Sequence, residues 1–187
     1  MWWSKVLLAA LVVASVSGLG ACGFEPVYGR GGAVRHAELA AIDIAPIDGQ
    51  ASPGAISDGN SGLGRAGYEL RNRLITSLGT ERVEPRYRLG VMLEESQGEF
   101  AIQADDRVTR YQLALNASFT LVEIASGKTV YSGNTRSVGS YNVVSSGFAT
   151  VTSEADARRR AAFDLADNIR ELLITHFSRE AATEATP

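Results

Sequence analysis

Apolar positions along the chain change their period several times, and each change predicts an element. In the run Leu39 to Ile47, Ile42 and Ile44 stand two apart, which suits a half-buried strand, and Pro46 is placed to end it. Between Gly67 and Gly79 the period lengthens. Leu70, Leu74 and Leu78 recur every four residues, Ile75 lies beside them and Tyr68 one turn earlier, while Arg71 and Arg73 fall off the stripe. That pattern predicts a short amphipathic helix closed by Gly79. Alternation then returns. Tyr87, Leu89, Val91 and Leu93 predict one strand; Tyr111, Leu113, Leu115, Ala117, Phe119 and Leu121 predict a second, longer one. The opposite face of the longer strand carries Gln112, Asn116, Ser118 and Thr120, so the sheet is covered on one side only. Ser126 to Lys128 turns the chain into a third run, TVYSGNTRSVGSY, which should pair antiparallel with the second.

The last element is a helix from Ser153 to about Phe177. Ala161, Ala162, Leu165, Ile169, Leu172, Leu173 and His176 keep three-four spacing, and Ser153 with Asp156 fits a capping box. Arg158 to Arg160 sit in its early turns, against the helix dipole, so neighbouring acids must offset them or they reach for something. Neither helix holds at this length without packing. The expected fold is therefore α+β, in the order β-α-β-β-β-α. It has a single four-stranded, mostly antiparallel or mixed sheet with two helices on one face. This domain runs over 38–178. Asp48 to Gly64, rich in Gly, Ser, Asp and Pro, reads as a long loop inside it, and the polar residues 179–187 as a disordered tail.

The amino terminus follows neither period. It reads MWWSKVLLAALVVASVSGLGAC. Lys5 and the terminal amine give a positive start, and Val6 to Val16 are eleven uncharged, mostly apolar residues. A helix of that length reaches about 16 Å, roughly half of a ~30 Å hydrocarbon core. The run is short for a transmembrane anchor and fits a secretory signal over residues 1–21. Its end, Leu19-Gly20-Ala21-Cys22, resembles the lipobox of bacterial lipoproteins. The resemblance implies cleavage between Ala21 and Cys22, a diacylglycerol on the Cys22 thiol and a further acyl chain, a palmitoyl group, on its freed amine. A buried free cysteine would not explain the position. A single myristoyl chain binds a bilayer only marginally, whereas each further buried methylene adds about 0.8 kcal/mol, so three chains hold firmly. Gly23 rather than Asp follows the cysteine, which by resemblance to enterobacterial lipoproteins favours the outer membrane.

Composition narrows the function classes. The 187 residues are 45% hydrophobic and 21% charged, enough for one domain with a real core. A formal charge of −3 gives no basic excess for binding nucleic acid. Loss of residues 1–21 removes Lys5 alone among the charged groups, leaving 17 basic and 21 acidic, or −4. One cysteine cannot form an internal disulfide, and two histidines, His36 and His176, are too few and too separated for a metal cluster with it. Asp105-Asp106 is a candidate acid pair, but its place in QADDRVT reads better as a turn between strands. His176 sits on the apolar stripe near a helix C-terminus, where a cation is favoured. SVSGLG lacks the Lys-Ser/Thr ending of a phosphate loop, and GFATVTS has a serine with no identifiable base. No cofactor beyond the lipid on Cys22, no metal and no catalytic activity are expected.

The run ACGFEPVYG goes further than a lipobox. Cys22-Gly23-Phe24, Pro26 and Tyr28-Gly29 resemble the mature amino terminus of the LPS-assembly lipoprotein family, which begins Cys-Gly-Phe-x-Pro-Leu-Tyr, with Val27 here in place of the leucine. Leu70, Arg71, Asn72, Leu74 and Leu78 are similar to the family's first-helix segment, and TRYQLALNASFTL to its central strand. The element order matches too, and the loop from Asp48 to Gly64 looks like an insertion. The resemblance implies a lipid-anchored, periplasm-facing protein of the outer membrane. Such a protein plugs the LPS-translocating β-barrel, helps it assemble and binds lipopolysaccharide. Phosphates on that ligand favour arginine, and Arg107 and Arg110, just before the central strand, are the candidate contacts, set against the plainer reading of a solvated turn. The alternative function is an unrelated periplasm-facing lipoprotein, a binding or scaffold module that shares only the lipobox.

Overall fold

The computed structural model describes residues 37–51, 62–79, 83–102 and 108–184. They belong to one compact unit, Val34–Pro187; Cys22, Ala21, His36, Asp105, Asp106 and Arg107 lie outside the described residues. The elements are β1 (Ile42–Ile44), β2 (Asp48–Ala51), α1 (Gly62–Leu78), β3 (Tyr87–Ile102), β4 (Val108–Glu123), β5 (Thr129–Asn142) and α2 (Gly147–Glu184). Residues 37–40 add a helical turn before β1.

The sheet is mixed and the fold is α+β. β3, β4 and β5 form an antiparallel meander, with Leu89 opposite Leu121 and Phe119 opposite Gly133. β1 and β2 lie end to end along the free side of β3, both parallel to it. The hairpin at Ser126–Lys128 forms as expected. Gly127 takes the left-handed conformation at φ 67°, and its N–H donates to the Glu123 carbonyl at 2.9 Å. Gly79, at φ 72°, closes α1 as its position predicts.

Four differences from the sequence reading have local causes. The loop expected from Asp48 begins as β2. Pro46 has no N–H and interrupts the first pairing, but beyond the buried Ile47 the backbone resumes its ladder with β3, in a segment, DGQA, whose side chains do not favour strand. The same loop ends in the first turn of α1, which starts at Gly62, not Gly67. Leu63 and Ala66 extend the buried stripe, but Gly67 interrupts it in the sequence; a Cβ there would stand 2.8 Å from the Ile47 carbonyl oxygen. α2 starts at Gly147, ahead of the expected capping box, and Ser146 Oγ accepts from the Ala149 N–H at 3.4 Å as its N-cap. It also continues through residues 179–184, where a disordered tail was expected. Arg, Glu and Ala are strong helix formers, and they carry the exposed last turns.

α1 and α2 pack against each other and against one face of the sheet. The core between them joins Leu70 and Leu74 of α1 to Leu165, Ile169 and Leu173 of α2, over Leu89, Leu93, Leu115, Phe119 and Leu121. α2 lies directly on the sheet at Gly139, where an added Cβ would stand 2.6 Å from the Ala157 carbonyl oxygen. The other face is wetted, with Ser118 and Thr120 exposed.

Candidate functional site

The two ends of the sheet differ in kind. At one end the chain arrives through residues 37–41, and the Arg86 guanidinium bonds Glu38 at 3.2 Å. Tyr87, Phe177, His176, Tyr131 and Phe119 pack there as a chain of rings. His176 lies flat on Tyr131, 4.4 Å between centroids, with Glu180 3.5 Å from its Nε2. That geometry gives the histidine a packing role. Burial first, and then the Glu38 carboxylate, push the Tyr87 hydroxyl up to about 12.

The far end is where β4 begins and β5 passes into α2. Arg110 is exposed, opposite Asn142 in the ladder, and has no ion pair among the described residues. Two residues past Asn142 an apolar patch begins. Val144 is 50% exposed, Phe148 84% and Val151 66%. Phe148 and Val151 are three apart on one helix face. Thr150 Oγ1 draws Val144 to the same turn, accepting from its N–H at 3.2 Å and donating to its carbonyl at 3.3 Å. The stretch 143–153 contains no charged residue. Sequence reasoning passed over it because Val151 sits outside the expected helix; the absence of charge around Phe148 was the available signal.

Beside this patch the covered face of the sheet turns polar. Glu95 takes the place next after Leu93, and Arg158 of α2 reaches down to it. Arg158 Nε donates to Glu95 Oε2 at 2.6 Å and Nη2 to Oε1 at 2.9 Å; Nη2 also donates to Glu154 Oε1 at 2.6 Å. Gln97 Nε2 donates to Glu95 at 2.9 Å and to Glu154 at 3.2 Å. Burial alone would raise the Glu95 carboxyl, but the bonds from Arg158 and Gln97 outweigh it and hold the group below its ordinary value. The bond to Glu95 first, and then that to Glu154, raise the Arg158 guanidinium. The other two arginines of the run pair with Asp156, Arg159 at 2.5 Å. Acids therefore offset all three. Between α1 and the start of α2 a groove of about 630 Å³ is lined in part by Ala66, Val151 and Ala155, and its three arginines are matched by three acids.

Among the described residues no group of three His, Cys, Asp or Glu could hold a metal ion, and no helix is long and apolar enough to cross a membrane.

The sequence model of the lipopolysaccharide-assembly family LptE matches residues 39–173. Among solved structures, the chain is similar to a protein described as a lipoprotein from Caulobacter crescentus CB15, with a TM-score of 0.57 and 23% identity, over 76% of this chain and 95% of that one. Rare lipoprotein B from Shewanella oneidensis matches with a TM-score of 0.49 and 14% identity, over 76% and 99%. A homologue of neuraminyllactose-binding hemagglutinin from Helicobacter pylori matches with a TM-score of 0.52 and 10% identity, over 86% and 97%. At such identities the likeness is one of fold, and a fold does not fix a function. No curated protein sequence matches the chain.

Proposed function

The chain belongs to the LptE lipopolysaccharide-assembly family, and from that membership we propose that it plugs the outer membrane's LPS-translocating β-barrel, helps it assemble and takes part in lipopolysaccharide transport. The family match over 39–173 carries this reading. In it the protein is not an enzyme, and acyl chains on Cys22 tether it to the periplasmic leaflet. From Cys22 to residue 37 there are 37 − 22 = 15 residues, a span of at most about 50 Å. The tether leads to the aromatic end of the sheet. A polar open sheet face suits the polar interior of a barrel.

Arg107 and Arg110 are the proposed lipopolysaccharide contacts. The exposed apolar patch that begins at Val144, two residues past the ladder partner of Arg110, supports the choice, since the ligand pairs phosphates with acyl chains. The test is made on the full chain in its own membrane. Affinity purification of the protein should bring down a large β-barrel in equal amount, with lipopolysaccharide. Arg107→Ala with Arg110→Ala should lower the lipopolysaccharide recovered at unchanged melting temperature. Normal barrel assembly and normal surface lipopolysaccharide after depletion would overturn the plug and leave a scaffold lipoprotein of other purpose. Unchanged lipopolysaccharide in the double variant would overturn only the two arginines.

A further inference from the structure

The first ten residues of α2, Gly147–Asp156, contain no buried side chain; the buried stripe of the helix starts at Ala157. At that point the helix backbone rests directly on β5, because Gly139 has no Cβ to hold it off. Ahead of that contact, polar bonds tie the segment to its surroundings: Thr150 to Val144, Gln97 to Glu154, and the Arg158 guanidinium joining Glu154 to Glu95. The guanidinium is itself confined. A Cβ on Gly62, in the first turn of α1, would run into Arg158 Nη1. One side chain therefore touches β3, α1 and both sides of the junction in α2. Segments with few buried apolar contacts open at lower free energy than the rest of a fold.

We propose that Gly147–Asp156 is a hinged arm. Ala157 on Gly139 is its fulcrum, and Arg158, clasping Glu95 and Glu154 under Gly62, is the latch that holds it over the end of the sheet. When the latch opens, the α1–α2 groove widens and Phe148 and Val151 move with the arm as one piece. The device stands on this packing alone; only its use in presenting Phe148 to an amphiphile rests on the function proposed above.

Hydrogen exchange on the full chain tests it without any lipid. Glu95→Gln keeps the shape of the side chain and removes the charge that Arg158 grips. The amides of residues 151–157 should then exchange about tenfold faster or more, while those of 161–177 and of β4 keep their protection. Gly62→Ala presses on the guanidinium from α1 and removes no charge; it should give the same local pattern. Unchanged exchange in the arm with both variants overturns the latch. Equal loss of protection through α2 and the sheet overturns the hinge, because the pair would then be an ordinary structural contact.

Discussion

From Tyr87 to Leu93 every second residue of β3 is an apolar side chain beneath the helices, whereas the next two places on that face hold Glu95 and Gln97. The facing strand changes less, since Leu113 and Leu115 stay fully buried opposite Gln97 and Glu95. The helix above changes most: Leu165, Ile169 and Leu173 over one half, Arg158 and Glu154 over the other. α2 crosses both halves, though Gln97 at the rim of the polar one is exposed, and the two are held differently. The apolar half gains from every methylene removed from water, wherever the atoms sit. The polar half gains only while Arg158, Glu95, Glu154 and Gln97 keep their geometry, because a charge left there alone is costly. The first half tolerates small shifts, and the second does not.

The largest predicted effect lies in the apolar half. Phe119 is 2% exposed and packs edge-on to Tyr131 at 5.7 Å. Phe119→Ala should cost about 4 kcal/mol of unfolding free energy in denaturant titration, combining lost transfer energy and a cavity. A loss below 1 kcal/mol would mean that this half is as loosely held as the arm.

Arg158→Ala should cost less, about 2 kcal/mol, although it takes the guanidinium from a largely covered carboxylate, which keeps its bond from Gln97. Breaking a buried pair typically costs about 3–5 kcal/mol, but here a hinged arm lets water reach Glu95. A pH series separates the halves further. Glu95 sits below its ordinary value when folded, so its contribution is present above the unfolded value, about 4.3, and is lost as pH falls through the folded one. The melting temperature of the parent chain should therefore fall below about pH 4 more steeply than that of Glu95→Gln. Equal slopes would remove the latch from the acid limb of the curve.

How much of this was legible depended on whether side chains or backbone decided the outcome. β3, β4 and α1 announce themselves because burial of Leu89, Leu93, Phe119, Leu70 and Leu74 imposes a period on the sequence. β2 is invisible because its strand state comes from the waiting backbone of β3 and not from the residues of DGQA. The start of α1 is hidden because close approach requires Gly67 where the stripe calls for an apolar side chain. Arg158 was half legible. A run of three arginines near a helix start demanded acids, but nothing in the sequence singled out Glu95, 63 residues away, as one of them. The match in space became apparent only once α2 crossed the sheet. The patch of Val144, Phe148 and Val151 has no period at all, since nothing in the described residues covers it.

The smallest effect makes the sharpest control, because it places the same chemistry outside the cover. Arg88 Nε donates to Asp43 Oδ2 at 3.2 Å across the β1–β3 pair, as Arg158 Nε does to Glu95 across the helix–sheet gap. The Arg88 and Asp43 side chains are 62% and 42% exposed, against 12% for each member of the Arg158 pair. In water the Coulomb gain is small, the ions keep their hydration and two long side chains lose freedom, so an exposed pair contributes about 0.5 kcal/mol or less. Arg88→Ala should therefore leave the denaturation midpoint almost where it was. Any small difference from the parent should vanish at 1 M salt, where the screening length is about 3 Å. The same salt should reduce the Arg158→Ala difference only in part, since water and ions reach that pair from one side. If the two arginines lose equal stability and respond equally to salt, cover does not distinguish them, and the polar half of the sheet is an extension of its wetted face.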